Sequence, residues 1–212
     1  MLEYQEMDPG ERNECALLAA EAFYDYEYFS IYVPDDARRK RFLRALIRCE
    51  FKANRNQPEV RFFTAKENGK TVAVAQLCDP RFKKPDDMTY VRSGWFGVVF
   101  KGGAKGVNAW NAMEKIASAP CHELHGENWY LSLLTVAPNA EGKGIGSRFL
   151  NEWIIPYAKE RGAETLSLFT NSEINRKFYV KNGFSEFDEK QFQHGGKTIG
   201  SWSYLIRFEK TL

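Results

Sequence analysis

"LTVAPNAEGKGIGSRFL", residues 134–150, leaves an apolar, strand-like segment, passes through three glycines and a lysine, and enters an apolar, helix-like run. A glycine-rich turn that opens a helix points bare backbone N–H groups outward, and the helix N-terminus adds roughly half a positive charge. Both favour an anion, and a phosphate is the first expectation. Two common phosphate cradles do not fit. No Gly-Lys-Ser or Gly-Lys-Thr occurs at the spacing that a G-x-x-x-x-G-K-[ST] loop needs. Gly142, Gly144 and Gly146 also miss the G-x-G-x-x-G dinucleotide pattern, because Arg148 and Phe149 occupy its later positions.

The rest of the chain sets bounds. Its 212 residues suit one domain, 1–212, with room for an insertion, and are enough to bury a core. The composition, 43% hydrophobic and 27% charged, is that of an ordinary soluble protein. A net charge of +2 supplies no basic field for nucleic acid. No apolar run approaches the roughly 20 residues of a membrane span. The acidic start, "MLEYQEMDPGERNE", lacks the pattern of a secretory signal. Cys15, Cys49, Cys78 and Cys121 are scattered, which fits a reducing, cytoplasmic setting.

Periodicity places the elements. "DPGERNECALLAAEAFYDY" reads as a helix with Asp8 as N-cap and Pro9 at its first position, and "DDARRKRFLRALIRCEFKA" as a second with Phe42, Leu43, Leu46 and Ile47 on its apolar face. Residues 59–79 read as a hairpin around Asn68-Gly69. Residues 79–126 are the least regular: they suit an insertion or a lid, with "VNAWNAMEKIA" as a helix. "NWYLSLLTVAP" is a central strand, nearly continuous in apolar residues. The helix after the glycines contains Pro156, which should bend it and leave the Glu152 carbonyl without its helical partner. A strand, "ETLSLFT", then precedes a short helix capped by Asn171 or Ser172 and stopped at Gly183. Two strands joined through "HGG" finish the chain, giving an α/β (α+β) layer fold.

Two of these stretches resemble a known family. "LTVAPNAEGKGIGSRFL" is similar to the acetyl-CoA-binding motif of the GNAT superfamily of N-acetyltransferases, with Val136, Pro138, Gly144 and Gly146 at matching positions. "LSLFTNSEINRKFYVKNGF" resembles the second motif, a strand followed by a helix bearing Asn175, Phe178 and Tyr179 and ending at Gly183-Phe184. The 128–136 strand and the proline-bearing helix further resemble the puromycin acetyltransferase-like subgroup. The resemblance implies a mixed central β-sheet with helices on both faces and two strands splayed at the cofactor cleft. It implies acetyl-CoA as cosubstrate, held by Leu134, Thr135, Val136, Glu141, Gly142, Lys143, Gly144, Ile145, Gly146, Ser147, Asn175 and Tyr179. A backbone N–H around Leu134 to Val136 would serve the acetyl carbonyl. Glu141 departs from the usual Gln or Arg; beside a pyrophosphate it is unfavourable unless it faces solvent or is offset by Lys143 and Arg148.

The residues suit this chemistry in their own right. Asn175 and Tyr179, four apart, share a helix face. A phenol, pKa near 10, can protonate a departing thiolate of pKa about 8.5, which makes Tyr179 the expected general acid. The amine, pKa near 10, must lose a proton before it attacks. Candidate bases are His122, Glu123, His125 and Glu127, with Glu127 favoured because it abuts the strand. Cys121, His122 and His125 lack a distant fourth ligand, so no metal is expected. The resemblance makes the first-helix region the acceptor site. There Phe23, Tyr24, Tyr26, Tyr28 and Phe29 interleave with Asp25 and Glu27, with Asp35 and Asp36 following, a mixture suited to a small cationic or aromatic amine. A protein N-terminal or lysine acetyltransferase and a non-catalytic acyl-CoA sensor are the alternatives; an open cleft over 79–126 would favour the protein acceptor. A monomer and a homodimer are both compatible with the sequence.

Overall fold

The computed structural model describes residues 1–209. A seven-stranded sheet runs in the order β1-β2-β3-β4-β5-β7-β6. Its strands are β1 (Leu2–Glu6), β2 (Val60–Glu67), β3 (Lys70–Cys78), β4 (Asn128–Val136), β5 (Thr165–Thr170), β6 (Ser185–His194) and β7 (Lys197–Arg207). Every neighbouring pair is antiparallel except β4 and β5, which are parallel. The mixed sheet with helices on both faces is the expected layer fold.

One face carries α1 (Arg12–Ala22), α2 (Glu27–Ser30), α3 (Asp36–Asn54), α4 (Asp87–Ser93), α5 (Trp95–Gly102) and α6 (Ala104–His122). The other carries one continuous helix, built of α7 (Ile145–Phe149), a π-helical turn at Leu150–Ile154 and α8 (Ile155–Glu160), together with α9 (Glu173–Lys181). Asn68 (φ 52°) and Gly69 (φ 74°) turn the β2–β3 hairpin in the left-handed region, as its dipeptide demands. Phe42, Leu43, Leu46 and Ile47 are all buried, so the stripe read in α3 is its core face, each side chain contributing about 1.5–3 kcal/mol.

Several boundaries differ from the sequence reading. β1 is an edge strand of five residues with one buried side chain, too short to show a period. The first helix is shorter than expected: Asp8 caps a 3₁₀ turn at Pro9–Glu11, accepting from the Gly10 N–H at 2.7 Å, and α1 ends at Ala22. The N-cap of α9 is Ser172, which makes no capping bond, while Asn171 donates to the Gly200 carbonyl at 2.8 Å. Pro156 is seated just after the π-turn, where the Ile155 N–H reaches back to the Leu150 carbonyl; the extra residue in that turn makes room for the ring.

Residues 79–126 fold into three helices, α4 to α6, packed on α3, β5 and β7. Low periodicity in the sequence reflects short helices joined at Gly94 (φ 114°) and Gly103 (φ 85°). Close packing fixes them. A Cβ at Gly106 would lie 2.3 Å from the Tyr32 carbonyl oxygen, and one at Gly102 would lie 2.6 Å from the Phe42 ring. Arg39, buried at 5% exposure, holds the same aromatic segment by donating to the carbonyls of Tyr24 (2.9 Å), Val33 and Pro34 (both 3.2 Å) while pairing with Asp36 at 2.6 Å. All four cysteines are free and buried; burial pushes the Cys15 thiol up to about 11 and those of Cys49, Cys78 and Cys121 up to about 12. No helix among the described residues is long and apolar enough to cross a membrane.

The Gly106 contact is against backbone and cannot relax by a rotamer change. Gly106→Ala is therefore expected to lower stability by about 1–3 kcal/mol, read as a shift in urea midpoint at unchanged slope. An unaltered midpoint would show that α6 is not docked this closely on Tyr32.

Candidate active site

β4 and β5 pair over only three positions, Asn128 with Thr165, Trp129 with Leu166 and Tyr130 with Ser167. Beyond Tyr130 the strands part. On its other edge β4 stays paired with β3 as far as Val136, with a bulge at Ser132. Backbone N–H groups in an antiparallel strand alternate between its two neighbours. Leu133 to Val136 therefore turn part of their backbone hydrogen-bonding capacity into the gap, where no strand accepts it. The segment Leu134 to Val136 lies along this unpaired edge.

The glycine turn closes the wide end of that gap. Gly142 (φ 74°) and Gly144 (φ 73°) are left-handed, and a Cβ at either would meet nothing within 4 Å, so the backbone there faces open space. Gly144 is the N-cap of α7, with Ile145, Gly146 and Ser147 following in the first turn. Glu141 and Lys143 are exposed, and Lys143 donates to the Asn139 carbonyl at 3.2 Å. Arg148 is paired with Glu152 at 2.9 Å and is thereby turned to that carboxylate rather than to Glu141. The Ser147 hydroxyl accepts from Asn182 at 3.2 Å. Positive-φ glycines, open space and unpaired N–H groups together fit a pyrophosphate.

α9 lines the gap from the other face. Tyr179 is buried at 8% exposure and accepts no hydrogen bond that would engage its hydroxyl among the described residues; burial, then the neighbouring Tyr26, pushes its pKa well up. Asn175, one turn earlier, donates to the Thr170 hydroxyl at 3.1 Å. That hydroxyl lies 3.0 Å from the Tyr26 hydroxyl, which itself accepts from the Asn171 N–H at 2.7 Å. This network ties the segment before α2 to the end of β5.

Between the two strands and α3 and α6 lies a cavity of about 220 Å³. Many aromatic rings line it, among them Phe23, Tyr26, Tyr28, Phe29, Trp110 and Tyr130, together with Tyr179 and Asn175. Two carboxylates also line it, Glu50 of α3 and Glu114 of α6. Glu114 is paired with Lys84 at 3.0 Å. Glu50 accepts from the Tyr90 hydroxyl at 3.1 Å, and its pKa is pushed up to about 7, chiefly by burial and then by the charge of Glu114.

The structure gathers Phe23, Tyr26, Tyr28, Phe29, Leu134, Asn175 and Tyr179 around this cavity. It does not bring Tyr24 there; that ring is covered by Arg39 and Lys40 at 4.8 and 4.4 Å. Glu127 is exposed at the start of β4, where its carbonyl accepts from the Glu164 N–H at 2.9 Å, and so lies at the opposite end of the strand from the glycine turn. His122 ends α6, Glu123 and His125 follow on the connection to β4, and all three are exposed. Asp25 and Glu27 are exposed, Asp35 caps α3 through the Arg38 N–H at 2.7 Å, and Asp36 pairs with Arg39, so none of the four lines the cavity.

Residues 19–184 match the model of the acetyltransferase (GNAT) family. The chain belongs to that family. GNAT enzymes are acyltransferases that use acetyl-CoA. Solved GNAT structures share the fold. "Histone acetyltransferase HPA2 and related acetyltransferase" from Corynebacterium glutamicum is 19% identical, with a TM-score of 0.65 over 100% of this chain and 99% of that one. A polyamine N-acetyltransferase from Drosophila melanogaster is 13% identical (TM-score 0.59, covering 98% and 100%). The paia N-acetyltransferase of Thermoplasma acidophilum, solved with coenzyme A, is also 13% identical (TM-score 0.57, covering 98% and 99%). No curated protein matches the chain by sequence.

Within this GNAT fold, the residues missed in the sequence are Glu50, Glu114, Lys84 and Tyr90. A signal for two of them was present: Glu50 follows Leu43, Leu46 and Ile47 on the buried stripe of α3, and Glu114 falls between Trp110 and Ala117 on that of α6. A carboxylate inside an apolar stripe is uncommon without a task.

Burial of Glu50 has a pH consequence. Its folded pKa of about 7 lies above the ordinary 4.5, so its contribution to stability is present below 4.5 and is lost as pH rises through 7. The loss is on the order of 3 kcal/mol at most. Glu50→Gln is therefore expected to raise the melting temperature relative to the native chain more at pH 8 than at pH 5. Equal differences at both pH values would refute an ionised, buried Glu50.

Proposed function

We propose that this enzyme acetylates a small, cationic or aromatic primary amine seated in the aromatic cavity. The observation that carries this reading is the cavity itself, with Phe82, Tyr90, Trp110 and Glu114 of residues 79–126 forming one wall. A walled pocket suits a small molecule better than a protein lysine or N-terminus. The polyamine enzyme from Drosophila, which forms N-acetylagmatine, is a structural neighbour in keeping with this class. The negative charge that selects a cation comes in this reading from Glu50, in place of the exposed acids at 25, 27, 35 and 36. The resemblance of the 128–136 strand and the proline-bearing helix supports a place in the puromycin acetyltransferase-like subgroup.

Acetyl-CoA supplies the acetyl group as a thioester, which the amine attacks directly; none of the four cysteines lines the cavity. The N–H groups of Leu134 to Val136 that face the gap donate to the acetyl carbonyl oxygen as it gains charge. Gly142 to Ser147 present the backbone to the pyrophosphate, and Asn175 contacts the cosubstrate from α9. Tyr179, kept neutral by its raised pKa, donates its proton to the departing sulfur. Over one turnover the nitrogen sheds a proton, the sulfur takes one up, and Tyr179 recovers its own from solvent.

Release of the CoA thiol across an amine panel tests the reading, with cationic and aromatic amines expected to outpace anionic ones. Tyr179→Phe should lower kcat by roughly 10²–10⁴-fold. Unchanged kcat would remove Tyr179 as the acid, whereas preferential turnover of a peptide lysine would remove the small-amine reading.

A further inference from the structure

Given a small amine in the cavity, we propose that Glu50 is a specificity residue whose carboxylate holds a second, non-reacting cationic group, so that the preferred acceptor is a dicationic amine rather than a monoamine. The first ground is that Glu50 is unpaired. Both hydrogen bonds it receives, from Tyr90 at 3.1 Å and from Asn54 at 3.5 Å, fall on Oε2. Oε1 has no protein donor among the described residues. Glu114, the other cavity carboxylate, already has Lys84. The three side chains together leave one net negative charge when Glu50 is ionised.

The second ground is the surroundings. Tyr28, Phe29, Tyr90, Trp110 and Tyr130 line the same space, and aromatic faces beside a carboxylate form a desolvated seat for an ammonium.

The third ground is position. Glu50 lines the cavity together with Tyr130, the last residue of β4 still paired with β5, and with Tyr90, from whose hydroxyl it accepts. The carbonyl-binding edge begins at Leu134, four residues further on, or roughly 13 Å along a strand. A carboxylate on α3 that shares the cavity with this edge of β4 is placed to meet the end of the acceptor that does not react. The titratable and charged groups facing it are Glu114 of α6, Lys84 before α4, Tyr90 of α4, Cys49 of its own helix and Cys78 of β3.

The test uses the full chain with acetyl-CoA and two matched pairs of acceptors, 1-aminopentane with 1,5-diaminopentane and 1-aminooctane with 1,8-diaminooctane. At pH 8 the diamine of at least one pair is expected to show a kcat/KM at least tenfold above its monoamine. That ratio should fall towards one in Glu50→Gln, and also in the native chain at pH 6, where Glu50 takes up a proton while the distal ammonium keeps its charge. The pH arm needs no variant. A ratio below twofold at pH 8 for both pairs, or one that neither the variant nor pH alters, overturns the proposal. If the native chain acetylates none of these amines, the small-amine reading fails on its own terms, and the subsite is judged by binding. A melting-temperature rise with 1,5-diaminopentane or 1,8-diaminooctane that Glu50→Gln lacks upholds it, and no rise overturns it.

Discussion

The hydrogen bonds that β4 and β5 do not make organise the molecule. Three paired positions hold the strands together at one end, and past Tyr130 the ladder stops. Buried backbone groups left in this way cost free energy unless something else satisfies them. The fold accepts that cost at the centre of its sheet, where the helices on both faces keep the strands from drifting further apart. The result is a fixed gap with donors on one wall, a glycine turn at its mouth and α9 along its side. Other features of the site are arranged around an opening that an unbroken sheet would have closed.

The aromatic cavity depends on a different kind of constraint. The segment 23–33 has little regular structure beyond the four residues of α2, and its rings would not hold their places by helix geometry alone. Arg39 gathers its carbonyls from below, Gly106 lets α6 rest on Tyr32, and the Tyr26 hydroxyl bonds across to Thr170 and Asn171. Three unlike contacts, from α3, α6 and the end of β5, thus convert an irregular loop into a rigid aromatic wall. Rigidity there favours binding, since rings already in place surrender little entropy when a ligand arrives.

The glycine-turn half of the gap was legible in the sequence because its demands are local. A strand, a turn needing positive φ at Gly142 and Gly144, and a helix start are consecutive, so their spacing survives in the linear text. The same holds for the Asn68-Gly69 hairpin and for the α9 face bearing Asn175 and Tyr179. The aromatic cavity is assembled from α3, α6, β4 and the loop before α4, far apart in the chain, and no local period reports which faces will meet. Glu50 and Tyr90 are forty residues apart and become partners only through the docking of α4 on α3. The acids at 25, 27, 35 and 36 illustrate the converse: adjacency to aromatic residues in the sequence did not carry them inward, because two of them serve the N-terminus of α3 and the others face solvent. Glu127, next to the strand in sequence, sits at its wrong end for the gap.

The burial of all four thiols gives the chain a built-in gauge of its own integrity. A protonated sulfur sealed in a packed interior is a poor nucleophile and a poor target for oxidants or alkylating agents. Modification of Cys15, Cys49, Cys78 or Cys121 must wait for the surrounding structure to open. The speed at which a thiol reagent labels each position therefore measures how often that part of the molecule unfolds, with Cys15 reporting on α1, Cys49 on α3, Cys78 on the sheet and Cys121 on the end of α6.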